Sequence, residues 1–147
     1  MAAAHDVLTA NDWRGAELGE ILRQQLSQYV AEQRVSLAGV KVNLPAEQAA
    51  PLSLIFNELA TNALKYGALS TPRGRIVVSW TLAMAQGRPH VALTWEERDG
   101  PVVTSPLSRG FGSTLIEKSL PEARVTIDYR PQGLLCSLTW PSATPEK

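Results

Sequence analysis

Cysteine is nearly absent: Cys136 stands alone among 147 residues, so no disulfide can form within the chain. Charge of one sign is not in excess either, since Lys plus Arg and Asp plus Glu number 14 each, and no basic run occurs. The electrostatic footprint of a nucleic-acid binder is therefore missing, and no nucleic-acid partner is expected. There is no signal peptide and no long apolar span, which argues against direct membrane contact and for a cytoplasmic setting. Internal repeats and low-complexity tracts are absent as well.

What remains suits one compact domain. At 44% hydrophobic and 19% charged, a chain of this length can bury a core without covalent staples. Leu18, Ile21, Leu22, Leu26, Tyr29 and Val30 mark one apolar side of a helix from Ala16 to about Glu32. Val35 to Leu37 and Val40 to Leu44 read as short strands at a sheet edge, closed by Pro45. Pro51 to Gly67 reads as a second helix, with Leu52, Ile55, Phe56, Leu59 and Ala63 at three- and four-residue steps and Gly67 as its stop. Strands follow over Arg75 to Met84, His90 to Glu97, Ala123 to Tyr129 and Leu134 to Trp140, linked by turns at Gln86 to Pro89 and Pro131 to Gly133. The order predicts a two-layer α/β sandwich, a mixed and mostly antiparallel sheet covered on one face by helices.

The second helix carries the chemistry. At about 100° per residue, Glu58, Asn62, Lys65 and Tyr66 share a stripe beside the apolar face. An amide oxygen such as that of Asn62 can ligate Mg²⁺, Glu58 can take a proton or hold a water, Lys65 can meet phosphate, and Tyr66 can stack on a base. The bland alternative is a wet helix edge with Glu58 and Asn62 as a solvated pair.

Two further stretches align with that stripe. Alternation in Val91 to Glu97 puts Val91, Leu93, Trp95 and Glu97 on the face turned to the helices, so Glu97 ends its strand pointing inward. A carboxylate there can accept a hydrogen bond from the exocyclic amine of adenine, with Asp99 followed by Gly100 as the rival candidate. Glu96, on the opposite face, reads as an exposed turn carboxylate. Gly110-Phe111-Gly112-Ser113 opens a short helix from Thr114 to Lys118, where free backbone N–H groups can cradle phosphates. Pro101 to Arg109 reads as a lid over nucleotide, with Arg109 as a further phosphate contact.

These motifs resemble a known family. Glu58-Leu59-Ala60-Thr61-Asn62-Ala63-Leu64-Lys65-Tyr66-Gly67 is similar to the N box of the GHKL ATPases, and Trp95-Glu96-Glu97 to the Trp-x-Glu motif of the HWE-type sensor histidine kinases. Asp99-Gly100 resembles the start of the G1 box, and Gly110 to Ser113 the G2 box. The likeness runs from about Asp6 to Pro141. It implies the Bergerat fold and an ATP-binding catalytic domain at 14–147, with 1–13 as a residual linker from a phosphoacceptor hairpin not in the chain.

The resemblance further implies ATP and Mg²⁺ as cofactors, with the ion on Asn62 and Glu58 assisting transfer to a histidine of the protein's own phosphoacceptor and dimerisation domain, and a response regulator downstream. Asn57 departs from the histidine that the family carries just before the N-box glutamate. His5 and His90 sit in a terminal join and a strand start, not where the family's acceptor lies. A degenerate domain of this fold serving as a phosphotransfer or interaction scaffold is the alternative, and an independent ATPase or serine kinase is another.

Overall fold

A computed structural model describes residues 15–101, 120 and 122–142. Chain order gives β1 (Ala16–Glu17), α1 (Leu18–Ala31), β2 (Val35–Gly39), β3 (Asn43–Leu44) and α2 (Ala46–Lys65). A 3₁₀ turn (Ala68–Ser70) leads into β4 (Arg75–Ala85), β5 (Arg88–Arg98), β6 (Arg124–Arg130) and β7 (Gly133–Pro141). The five-stranded sheet has the order β2-β4-β5-β7-β6, with β2 parallel to β4 and every other pair antiparallel.

The two helices cover one face of this sheet, as the residue pattern requires. Leu18, Leu22 and Leu26 of α1 and Leu52, Ile55, Phe56 and Leu59 of α2 are buried against Ile76, Val78, Val91, Leu93, Trp95, Leu138 and Trp140 of the strands. Each such side chain contributes about 1.5–3 kcal/mol by leaving water, before chain entropy is subtracted. Strand register places Val78, Trp95, Cys136 and Ile127 in one row across the sheet. A slip of one residue would turn that whole row outward.

Two expectations need correction. The second helix begins at Ala46, not Pro51, and Pro51 sits inside it. Ala46 to Ala50 are enough to build a turn before it, so the amide that proline lacks costs one early bond rather than the helix. The candidate strand from Val40 to Leu44 shrinks to Asn43–Leu44 and pairs with Ala16–Glu17 in a separate two-stranded ladder, while Val35–Gly39 holds the sheet edge. Trp80 Nε1 donates to Val40 O at 2.7 Å, which ties Val40 down outside any ladder.

Turns close where the glycines allow. Gln86 and Gly87, with φ of 55° and 80°, make the two-residue hairpin between β4 and β5. Gly133, at φ 140°, starts β7, and a Cβ there would overlap the carbonyl of Glu97. A Cβ on Gly87 meets nothing within 4 Å.

The two positions should therefore respond differently to alanine. Gly87→Ala should cost about 1 kcal/mol from left-handed backbone strain alone, and Gly133→Ala more, because the backbone of β5 must also move. Urea midpoints of the two variants check this, and equal losses would contradict it.

Candidate functional site

Of the predicted stripe, Glu58, Asn62 and Lys65 lie on α2, and Tyr66 is the residue that caps its C-terminal end. Glu58 and Asn62 are half-buried, and Lys65 and Tyr66 are exposed at the C-terminal end. Asn62 Nδ2 donates to Glu58 O at 2.9 Å, one turn back along the helix. That bond uses one of the two N–H groups of the amide, and Oδ1 has no protein partner among the described residues, which makes it available as a hard oxygen ligand. Asn57, where the family has histidine, is exposed, and its Nδ2 reaches Gln25 Oε1 at 3.4 Å.

The end of α2 is fastened with some care. Tyr66 N donates to Asn62 O and Gly67 N to Ala63 O, at 2.8 and 3.0 Å, closing the last turn around the stripe. Ala68 N then donates to Glu97 Oε1 at 3.0 Å, and Trp95 Nε1 to Glu97 Oε2 at 2.9 Å. Glu97 is thus inward and buried, 3% exposed, as its place in the strand alternation predicts. Its carboxylate is not idle: each oxygen already has a protein donor.

Asp99 and Gly100 sit differently from Glu97. Asp99 is exposed at φ 60°, and its carbonyl accepts from Thr71 Oγ1 at 3.4 Å. Gly100 packs so closely on the start of the 3₁₀ turn that a Cβ would stand 2.7 Å from Ala68 Cα. Both line a cavity of about 750 Å³ together with Arg34, Arg73 and Gly74. No residue of the helix stripe lines that cavity, so it and the stripe are distinct places joined by the 67–68 backbone. Arg109, Gly110, Gly112 and Ser113, the lid that ends at Arg109, the helix at Thr114 to Lys118 and the linker at 1–13 lie outside the described residues or largely so.

Some partners were not foreseen. Arg34 donates to the carbonyls of Gly74, Ala68 and Thr71, pinning the 3₁₀ turn to the edge of the sheet. Nothing in the pattern around Arg34 announces this, because its targets are backbone. The Trp95–Glu97 bond was within reach of the Trp-x-Glu spacing, since residues two apart on a strand share a face. Glu96 corrects the expectation of an exposed turn carboxylate: it lies in β5 and accepts from Arg98 at 3.0 Å and Arg130 at 3.1 Å. The hydrogen bond from Arg98 is the main reason its carboxyl sits below the usual range.

Burial dominates the electrostatics at the strand ends. Loss of water pushes the Glu97 carboxyl above its ordinary 4.5, against the opposing pull of its bonds from Trp95 and Ala68. Burial, with the Glu97 charge second, pushes the Cys136 thiol up to about 12. Among the described residues no three His, Cys, Asp or Glu side chains gather into a metal cage, and no helix is long and apolar enough to cross a membrane.

Two consequences can be measured. The folded protein holds the Glu97 proton more tightly than the unfolded chain, so the associated stability is full below 4.5 and is lost as pH rises through the folded value. Relative to Glu97→Gln, which does not titrate, the unaltered protein should lose ground in urea midpoints as pH rises above 4.5; a gap that stays flat would contradict this. The second concerns Cys136, which should resist iodoacetamide at about pH 8 in the folded state and react once urea exposes it. Rapid native labelling would show that the thiol is not held protonated.

Comparison with known proteins bears on the family and the fold. The model of the HWE histidine kinase family matches residues 1–41. A blue-light-activated histidine kinase of Brucella ovis is 34% identical over 151 residues, covering 99% of this chain and 31% of the relative. One from Rhizobium johnstonii is 35% identical over 152 residues, covering 99% and 42%. The chain thus spans less than half the length of these curated relatives.

Solved structures share the fold. The catalytic domain of histidine kinase ThkA superposes with a TM-score of 0.59 at 16% identity, covering 88% of this chain and 96% of that one. The histidine kinase domain of the Erythrobacter litoralis blue-light-activated kinase gives 0.59 at 19%, covering 86% and 59%. ThkA in complex with the response regulator protein TrrA gives 0.55 at 14%, covering 86% and 40%.

Proposed function

We propose, for a chain that belongs to the HWE histidine kinases, the work of their ATP-binding catalytic domain. It holds Mg-ATP along the polar edge of α2 and presents the γ-phosphate to a histidine on the phosphoacceptor and dimerisation domain of the full-length protein. The observation that carries this is the stripe Glu58, Asn62, Lys65 and Tyr66, with Asn62 Oδ1 left open by the bond from Nδ2 to Glu58 O.

The donor set fits a metal brought in with its own ligands. A lone amide oxygen is a hard donor of the kind Mg²⁺ takes, and such an ion fills its shell from substrate phosphates and water. Asn62 would hold it, and the bound ion supplies neutralisation of the triphosphate charge. Lys65, at the exposed end of the same helix, adds a mobile positive charge for the phosphates. Tyr66 is 43% exposed and offers a ring face to the base. The purine end lies toward the mouth of β5, where Glu97, Asp99 and Gly100 follow one another.

Phosphoryl transfer then asks the protein mainly for position and charge. An acceptor imidazole nitrogen bonds to the γ-phosphorus as the bond to the β–γ bridging oxygen breaks and ADP departs. Glu58, one turn before Asn62, accepts the proton that the imidazole gives up. By resemblance, Arg109 and the Gly110, Gly112 and Ser113 turn contact the phosphates from the lid side. Separated from the acceptor domain, the chain binds ATP and turns over little, and a response regulator takes the phosphoryl group afterwards.

Calorimetric titration with ATP, ADP and GTP, with and without Mg²⁺, tests the binding reading. Asn62→Asp places a fixed negative charge against the phosphates and should abolish Mg-dependent binding while the melting temperature stays within a few degrees. Unchanged affinity in that variant would refute the metal role. Formation of acid-labile, base-stable phosphate on an added acceptor hairpin separates kinase from plain ATPase.

A further inference from the structure

Arg34 lies outside both the helix stripe and β5. It stands at the entry to β2, where Ile76 N donates to its carbonyl at 2.9 Å and its own N–H goes to Tyr29 O at 2.8 Å, so its backbone is fixed on both sides. The partly buried guanidinium donates to three carbonyls of one short loop: Nε to Gly74 O at 3.2 Å, Nη2 to Ala68 O at 3.3 Å, and Nη2 also to Thr71 O. Among the described residues no carboxylate forms an ion pair with it. A cation bonded to three carbonyls and to no acid fixes a backbone shape, and the planar fork of arginine suits that task better than an ammonium.

That loop meets the mouth of β5 at one residue. Ala68 O accepts from Arg34, and Ala68 N donates to Glu97 Oε1 at 3.0 Å, so the same residue receives the guanidinium and holds the carboxylate. Little room is left for it to move. A Cβ on Gly74 would overlap Ala68 O, one on Gly100 would stand 2.7 Å from Ala68 Cα, and one on Gly67 would overlap Glu97 Oε1. The stripe on α2 does not depend on Arg34 in this way, because Tyr66 N to Asn62 O and Gly67 N to Ala63 O close its last turn from within.

We propose that Arg34 is a positioning residue for purine recognition: by gripping the 68–74 loop it holds the Ala68 amide against Glu97, and so sets where that carboxylate meets the exocyclic amine of adenine. This rests on the nucleotide-binding reading of the site, with the purine at the mouth of β5. A carboxylate has about four acceptor positions, and the N–H groups of Ala68 and Trp95 fill one on each oxygen. A further donor is thus accommodated, in a direction that those two bonds dictate. Without the grip of Arg34 the Ala68 bond loosens, and the Glu97 side chain is left to pivot on the bond from Trp95.

The experiment measures calorimetric affinities, in Mg²⁺, for ATP and for inosine triphosphate, which carries an oxygen where adenine carries its amine. The unaltered chain should prefer ATP by about tenfold, the scale of one hydrogen bond to a charged group, and Arg34→Met should bring the two within about twofold of each other by weakening ATP. Arg34→Lys, which keeps the charge but not the fork, should fall between, and carries the comparison should Arg34→Met fail to fold. A loss of stability alone would weaken both nucleotides alike. A ratio unchanged in the folded variants would therefore overturn the proposal. In a Glu97→Ala background, Arg34→Met should alter the ratio no further, and independent, multiplying effects would overturn the proposal too.

A second readout needs no nucleotide. The Trp95 indole N–H donates to the other oxygen of Glu97, so its NMR shift and hydrogen exchange at the Ala68 amide should both move in Arg34→Lys. An indole resonance indifferent to Arg34 would sink the positioning role, even with normal ATP binding. If the unaltered chain shows no preference for ATP, the purine reading fails and takes the specificity role with it, while the resonances still decide whether Arg34 aims Glu97.

Discussion

A buried carboxylate with two N–H donors, Glu97 between Ala68 and Trp95, is the constraint on which the rest of the site's geometry depends. Left unpaired, such a group would cost several kcal/mol in lost hydration. It also stands at the negative end of α2, where the helix dipole disfavours an anion. The fold answers with donors and with space. Glycine at 67, 74, 100 and 133 lets the 67–68 backbone and the end of β5 approach until any Cβ would collide. Charge, close packing and backbone hydrogen bonding thus meet in one joint.

The sheet determines that Glu97 is inside at all. Val91, Leu93 and Trp95 precede it on the same face of β5, each at most 1% exposed, and they pair across to Trp140, Leu138 and Cys136. The apolar column sets the register, and the carboxylate is carried in as its last member. A shift by one position would bury Arg98 instead and strand Glu96, whose bonds to Arg98 and Arg130 belong on the outer face. Hydrophobic packing over the length of the strand therefore holds a charge in place at its end.

Much of this was legible in the residues. The period of Leu52, Ile55, Phe56, Leu59 and Ala63 gave the helix and thereby the stripe of Glu58, Asn62, Lys65 and Tyr66, and alternation gave the inward turn of Glu97. What escaped was long-range or backbone-mediated. Pro51 suggested a helix start because proline is common there, but the preceding five residues fold as helix too. The early strand Ala16–Glu17 has no period to show in two residues. Gly67 read as a helix stop, and only its three-dimensional neighbour reveals the second demand on it. Arg34 clamps carbonyls, which are the same in every sequence.

The polar edge of α2 also constrains what can bind there. Asn62 commits one N–H to its own helix and keeps a neutral oxygen without a protein partner among the described residues, while Lys65 contributes charge from an exposed stem. One amide oxygen and one nearby carboxylate are too few to hold a bare divalent cation, which takes about six oxygens. A bare polyanion would meet Glu58 on the same stripe and be repelled. On the proposed reading of the site, the combination suits a ligand in which metal and phosphates arrive together, each satisfying what the other lacks.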